Sequence, residues 1–229
     1  MGLAVVIPAL NEELLIGACL DSVGTKDGVE TVVVDGGSND GTRERARRAG
    51  ARVVEGPRGR GPQLNVGAAS AAADRLLFLH ADCRLPEGWL PAVSLALDDV
   101  DVSLACFRLR TLTSASSEPS AVYRWCLRFF DLRSNEFGLP YGDQGFAVRR
   151  GVFDRVGRFP EIPLMEDVAF AHACSRQGGL RRLPLEIETT ARRVEQRPLK
   201  TSFMLAIFPT LFRLGVTPQT LARWYGHVR

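Results

Sequence analysis

The sequence predicts an α/β fold, a mainly parallel sheet with helices on its faces. Three observations predict it. Apolar runs at Leu3–Ile7, Glu30–Val34, Ala51–Val54 and Leu76–Leu79 alternate with helical patterns, which spells consecutive βαβ units with right-handed crossovers. The first and last of these runs contain no polar residue, as expected of strands covered on both faces. Polar groups gather just past strand ends, at Asn11-Glu12, Asp35 and His80-Ala81-Asp82, where sheets of this class bind their ligands.

Each element has its own justification. Leu3–Ile7 is expected to stop at Pro8, with Asn11 capping a helix whose first turn holds Glu12 and Glu13. Leu14, Leu15, Ala18 and Cys19 give that helix its apolar face. The second strand ends on Asp35-Gly36-Gly37-Ser38-Asn39-Asp40-Gly41-Thr42, and Asp40 or Thr42 is expected to cap an Arg-rich helix. A Gly- and Pro-rich loop, Gly56 to Pro62, leads to an Ala-rich helix over Gln63–Ala73. The fourth strand follows, with its abrupt His80 and Asp82. Beyond Pro86, a helix at Trp89–Leu97 and a strand at Val102–Leu109 continue the sheet.

Thr111–Ser120 is polar enough to read as a linker. Tyr123–Phe130 is a basic amphipathic helix, either half-buried with Arg on the wet side or a membrane-surface or acceptor-facing segment. Glu166-Asp167 opens another helix with Val168, Phe170, Ala171 and Cys174 on its apolar side; such acids can be simple caps. Two last helices are expected at Leu199–Leu214 and Pro218–Tyr225. The expected organisation is one domain over 1–229: a nucleotide-binding half at 1–110, a second half at 111–190, and a helical extension at 191–229.

Composition excludes several classes. The chain has 229 residues, 45% hydrophobic and 24% charged, and its net +3 is too slight to argue for nucleic acid. Cysteines 19, 83, 106, 126 and 174 are odd in number and scattered, which fits neither a disulfide framework nor a zinc knuckle. No basic leader precedes the first strand, and Thr201–Phe212 is too short to span a bilayer and is interrupted by Pro209. The expected location is cytoplasmic, at most peripheral to the inner face of the membrane. Gly-x-Gly-x-x-Gly is missing after the first strand, so a dinucleotide fold of the usual kind is not expected.

Asp35, Asp82 and Asp167 recur at strand ends or at a helix start. Transfer of a sugar from a nucleotide needs a group to recognise the base, a cation site for the diphosphate and a general base for the acceptor. Three separate acids meet that need.

Val6-Ile7-Pro8-Ala9-Leu10-Asn11-Glu12, Val33 to Thr42, Asn65-x-Gly67, Phe78-Leu79-His80-Ala81-Asp82 and Glu166-Asp167 together resemble the family 2 glycosyltransferases with the GT-A fold. The resemblance runs in the family's order over roughly residues 3 to 175, and the His-Ala-Asp variant is similar to a bacterial subgroup. It implies a mixed, mainly parallel Rossmann-like sheet and an inverting transfer from a nucleotide-diphosphate sugar, expected to be UDP-linked. By position, Pro8, Ala9, Asn11 and Glu12 would line the nucleotide pocket and Asp35 would read the base. Arg60 and Asn65 would lie beside the nucleotide, Arg60 toward the diphosphate. Asp143 and Gln144 would contact the donor sugar or the acceptor. Asp82 would hold a divalent Mn or Mg ion, and Asp167 would be the general base with Glu166 beside it.

The departure is His80, which stands where the family carries the first acid of Asp-x-Asp. An imidazole there can accept a hydrogen bond from ribose or ligate a transition metal, which favours Mn over Mg. His172 and His227 read as surface residues, and Arg192-Arg193 either closes over a diphosphate or is surface charge. The competing readings are a nucleotidyltransferase and a non-catalytic nucleotide-sugar binder. The acidic loop after the first strand argues against the former.

Overall fold

The computed structural model describes residues 2–113, 121–136, 138–191 and 198–226. Eight strands form one sheet: β1 (Leu3–Ala9), β2 (Val29–Asp35), β3 (Arg52–Glu55), β4 (Arg75–Phe78), β5 (Cys83–Arg84), β6 (Val102–Leu112), β7 (Phe146–Arg149) and β8 (Gly179–Thr190). Their order is β3-β2-β1-β4-β7-β6-β8-β5. The first four pair in parallel, β7 runs antiparallel to both β4 and β6, and β8 returns parallel to β6. The sheet is therefore mixed and mainly parallel, as expected. It also runs through the expected boundary at residue 110, which falls inside β6.

Helices α1 (Ile16–Val23), α2 (Thr42–Arg48) and α4 (Trp89–Asp98) cover one face; α3 (Arg60–Ser70), α6 (Arg150–Arg155) and α7 (Glu166–Ser175) cover the other. The period of two in a strand explains why one run serves both cores. Leu3, Val5 and Ile7 of β1 pack with Cys19, Trp89 and Val93, while Ala4 and Val6 pack with Leu64 and Ala68. α3 lies very close to the sheet because of Gly67, where a Cβ would sit 2.2 Å from Val6 Cγ1 and 2.9 Å from Val34 Cγ2. A stack of aromatic rings anchors α7. Phe159 and Phe170 lie 4.2 Å apart between centroids, and Phe78 meets Phe159 edge-on at 4.9 Å.

Helices α5 (Ala121–Glu136), α8 (Pro198–Arg213) and α9 (Pro218–Tyr225) form a separate layer. α5 packs on β6 and α8, and α8 on α9. Phe208 and Leu221 bury against Leu164, Met165 and Val168 in a small core of their own. Pro209 lies inside α8, where its missing N–H interrupts the helical ladder. Among the described residues no helix is long and apolar enough to cross a membrane.

Two local expectations change. β1 continues through Pro8 to Ala9. Leu79 N–H donates to Val6 O at 3.0 Å, and Pro8, two residues on, faces the same side after β4 has ended, so no ladder bond is lost. Asn11 is not a helix cap. It adopts a left-handed conformation (φ 54°), and α1 starts at Ile16 behind Leu15. Of the Thr111–Ser120 linker, Thr111 and Leu112 belong to β6, and residues 114–120 lie outside the described residues. So do Arg192, Arg193 and His227; His172 is exposed.

Candidate active site

The loops after β1 and β2 are laced to each other. Asn11 N–H donates to Ser38 Oγ at 2.9 Å, and Asn39 N–H donates to Asn11 Oδ1 at 2.9 Å. Glu12 N–H donates to Thr42 Oγ1 at 2.8 Å, and Gly41 N–H to Glu13 Oε2 at 3.1 Å. Asp35 organises this unit from below. Its carboxylate is 1% exposed, accepts hydrogen bonds from the Gly37 and Ser38 N–H groups and lies 3.6 Å from Arg43 Nε. The amide of Gln63 ties the ends of the two strands together, donating to Ala9 O at 3.0 Å and Val34 O at 2.8 Å.

A cavity of about 220 Å³ opens beside these loops, across the carboxyl ends of β1, β4, β6 and β8. Pro8, Ala9, Glu12, Arg60, His80 and Asp82 line one end. Asp143 and Asp167 stand at the middle, brought there by the turn Gly142–Gln144 and by the start of α7. That turn enters β7, whose reversed direction puts its amino end at the same edge of the sheet. Thr111, Leu127, Ser134, Thr189, Thr190, Phe208 and Pro209 make the far wall, and Tyr225 lies within electrostatic reach of Arg60.

Asp167 is held firmly. Gly142 N–H donates to Oδ2 at 2.9 Å and Val168 N–H to Oδ1 at 2.8 Å. A Cβ on Gly142 would lie 2.9 Å from His80 Nε2 and 3.3 Å from Asp167 Cβ, so a side chain there would crowd the imidazole and the carboxylate that flank this turn. Met165, just before α7, is left-handed (φ 70°), an uncommon conformation for a non-glycine residue and one concentrated at functional sites.

The electrostatics follow from the crowding of acids. Burial pushes the Asp143 carboxyl up to about 7; the charges of Asp167 and Asp82 add to the rise and Arg60 opposes it. Arg60 carries the compensating charge. Its Nε lies 2.6 Å from Glu166 Oε1, and it also feels Asp167 and Asp82. Burial, then Asp82, holds the Cys19 and Cys83 thiols well above the ordinary range, so neither supplies a thiolate.

Among the described residues, no three His, Cys, Asp or Glu side chains converge closely enough to hold a cation unaided. The donor set nevertheless fits one that completes its shell with diphosphate oxygens. Asp82 and Asp143 offer hard carboxylates, and the buried Oδ1 of Asp143 has no hydrogen-bond partner.

The structure brings together Pro8, Ala9, Glu12, Arg60, His80, Asp82, Asp143 and Asp167. It leaves Asn11, Asp35, Asn65, Gln144 and Glu166 out of the cavity wall. Asn65 clasps the backbone of Phe159, donating to its O at 2.9 Å and accepting from its N–H at 3.0 Å. Gln144 is fully buried, donates to Phe107 O and Ser134 O and accepts from Tyr141 N–H. Both amides are spent on the protein. Glu166 is 2% exposed and engages Arg60. Sequence reasoning missed Gln63, Tyr141, Thr189, Thr190 and Tyr225. Only Gln63 left a signal: a polar residue one turn from Gly67, on the helix face turned to the sheet.

Comparison with known proteins identifies the family and the fold. The model of the family described as Glycosyl transferase family 2 matches residues 4–157. A glucosyl-3-phosphoglycerate synthase of Mycolicibacterium paratuberculosis is 34% identical over 122 residues, which cover 46% of this chain and 37% of that protein. The chain thus spans well under half the length of that curated relative. Among solved structures, a mannosyltransferase from Pyrobaculum calidifontis in complex with GDP-Man and Mn2+ superposes with a TM-score of 0.68 at 21% identity, over 97% of this chain and 67% of the other. Glucosyl-3-phosphoglycerate synthase from Mycobacterium tuberculosis, in complex with Mn2+, UDP and glucosyl-3-phosphoglycerate, gives 0.60 at 24% identity over 94% and 80%. At those identities both show the GT-A fold.

Proposed function

The chain belongs to glycosyl transferase family 2, and from that membership we propose that it transfers a sugar from a nucleotide-diphosphate donor, UDP-linked, to an acceptor hydroxyl with inversion. The observation that carries the reading is the cavity itself, where Asp82, Asp143 and Asp167 meet Arg60 at the carboxyl ends of β1 and β4. Such a mixture of acids and one strong cation suits a diphosphate and its counter-ion better than a neutral ligand.

The nucleoside takes the end walled by Pro8, Ala9 and Glu12, against the laced loops. Asp35 acts on the base by holding Gly37 and Ser38 in place. Asp82, with Asp143 and His80 beside it, would hold a divalent cation, which when bound neutralises charge developing on the leaving diphosphate. Arg60 adds a fixed positive charge, and Glu166 fixes the guanidinium. Asp167 lies in the wall, whereas Glu166 does not, which favours Asp167 as the base that takes the acceptor proton. Its two backbone hydrogen bonds aim the carboxylate while leaving each oxygen a further lone pair. A single displacement from the face opposite the diphosphate then inverts the anomeric centre.

Support for UDP comes from the solved synthase with UDP and Mn2+; the mannosyltransferase with GDP-Man makes the base the point to test. Thermal shift with UDP, GDP, CDP and ADP, each with Mn2+ and with chelator, is the direct experiment. UDP with Mn2+ is expected to stabilise most, and release of free UDP from UDP-sugars separates an enzyme from a binder. Equal shifts for all four nucleotides would overturn the donor assignment.

A further inference from the structure

Charge and exposed apolar surface are distributed unevenly in this chain. Residues 191–229 contain seven Lys or Arg and one Glu, whereas the rest of the chain is slightly acidic. Within α8 and α9 there is no acid at all, but there are Lys200, Arg213 and Arg223. The same helical layer holds most of the strongly exposed large apolar side chains among the described residues. Trp125 is 67% exposed, Phe203 65% and Trp224 51%, with Leu132 and Leu214 also outside. On α5, Trp125, Arg128 and Leu132 fall at i, i+3 and i+7, so an aromatic ring, a guanidinium and a leucine share one solvent-facing stripe.

This stripe is not turned outward for want of a core. α5 buries Leu127 and Ser134, and both line the cavity; α8 buries Phe208 and Pro209, and α9 buries Leu221. Each helix thus has a buried face, and the layer also carries large apolar side chains that stand exposed. Basic residues between exposed Trp, Phe and Leu are the composition that binds an anionic bilayer, where aromatic rings sit at the headgroup level and each cation gains from the negative surface potential.

We propose that the outer face of α5, α8 and α9 docks on an anionic membrane surface. The layer that touches lipid is then the layer that walls the far end of the cavity. On the reading of the cavity as a transferase site, the acceptor is an amphiphile presented by the membrane. That end suits such a molecule, since Leu127, Phe208, Pro209 and the hydroxyls of Thr111, Ser134, Thr189 and Thr190 give it apolar walls with neutral polar groups.

The test uses the full chain and does not depend on transfer activity. Sedimentation with phosphatidylcholine vesicles is compared with vesicles that also contain phosphatidylglycerol. Binding to the anionic vesicles is expected to exceed binding to the neutral ones by about tenfold or more and to fall with salt. A blue shift in emission should accompany it, because Trp125 and Trp224 are exposed whereas Trp89, the third tryptophan, is buried. The double variants Trp125→Ser with Phe203→Ser, and Arg128→Glu with Arg223→Glu, should each lower anionic-vesicle binding about tenfold. Their melting curves and their stabilisation by UDP with Mn2+ should match the parent, which establishes that they fold. Equal sedimentation with both vesicle types, no sedimentation with either, or undiminished binding by folded variants would overturn the proposal. A missing UDP shift with intact vesicle binding would instead count against the donor reading alone.

Discussion

Gly142 brings two candidate groups together through one small residue. Its N–H holds Asp167, and its bare Cα leaves room for the His80 ring. If Asp167 is the base proposed above, Gly142→Ala is expected to lower the transfer rate by about tenfold or more through displacement of that carboxylate, with little loss of nucleotide binding. Initial rates set against UDP affinity test this split. Asp167→Asn should cost about two to four orders of magnitude in rate, the usual weight of general base catalysis, with UDP affinity nearly unchanged. Parental rates in that variant would remove Asp167 from the mechanism. Asp143 gives a pH signature. Its folded-state pKa of about 7 lies above the ordinary carboxylate value, so the protonated fold is the favoured one. Stability of the metal-free protein should be greatest at acid pH on this account, and fall as pH rises from about 4 through about 7. Thermal melts across that range should show the slope, and Asp143→Asn should flatten it. At this scale the sequence was informative wherever a residue closes a strand or opens a helix, as with Asp82 and Asp167. It misled at Asn65 and Gln144, because chain position does not say whether an amide faces a ligand or a neighbouring backbone.

The elements that carry these residues are set by close packing. At Gly67, a methyl group would meet Val6 and Val34 well inside contact distance, so Gly67→Ala must push α3 off the sheet. Overpacking of this kind costs about 1–3 kcal/mol, measurable by denaturant unfolding. Asn65→Ala should cost about 1–2 kcal/mol, since it strips both hydrogen bonds from Phe159 and leaves that backbone unsatisfied. The βαβ repeats were legible because apolar runs and helical periods alternate cleanly. β7 and β8 were not. β8 carries Arg181, Arg182, Glu186 and Glu188 and has Pro184 in its interior, where its pairing with β6 shifts register, so it lacks the apolar run that marks a buried strand. The cap expected at Asn11 failed because its side chain is taken up by Asn39, across the loops.

For the whole molecule, the sheet with its two faces forms the main body, and α8 and α9 attach through the smaller core around Met165, Phe208 and Leu221. Amide exchange should therefore resolve two tiers of protection, with α8 and α9 opening at a lower free energy than β1, β2 and β4. Leu221→Ala, which empties a fully buried position in that smaller core, should widen the gap by about 2–4 kcal/mol while the sheet amides stay protected. Uniform protection would make the helices part of a single cooperative unit. The end of the cavity walled by Pro8, Ala9 and Glu12 was readable in the sequence since its motifs are local. The far wall was not, because it is assembled from Thr111, Ser134, Thr190 and Phe208, which nothing in the chain order links.

That spread along the chain has a temporal side. The cavity wall begins at Pro8 and ends at Tyr225. During synthesis, at roughly 5–20 residues per second, the loops that would meet the nucleotide leave the ribosome about 10–40 seconds before α9. A nascent chain can therefore hold a finished entrance to a chamber that still lacks its back. Any reaction that uses the whole wall must therefore wait until α9 has docked.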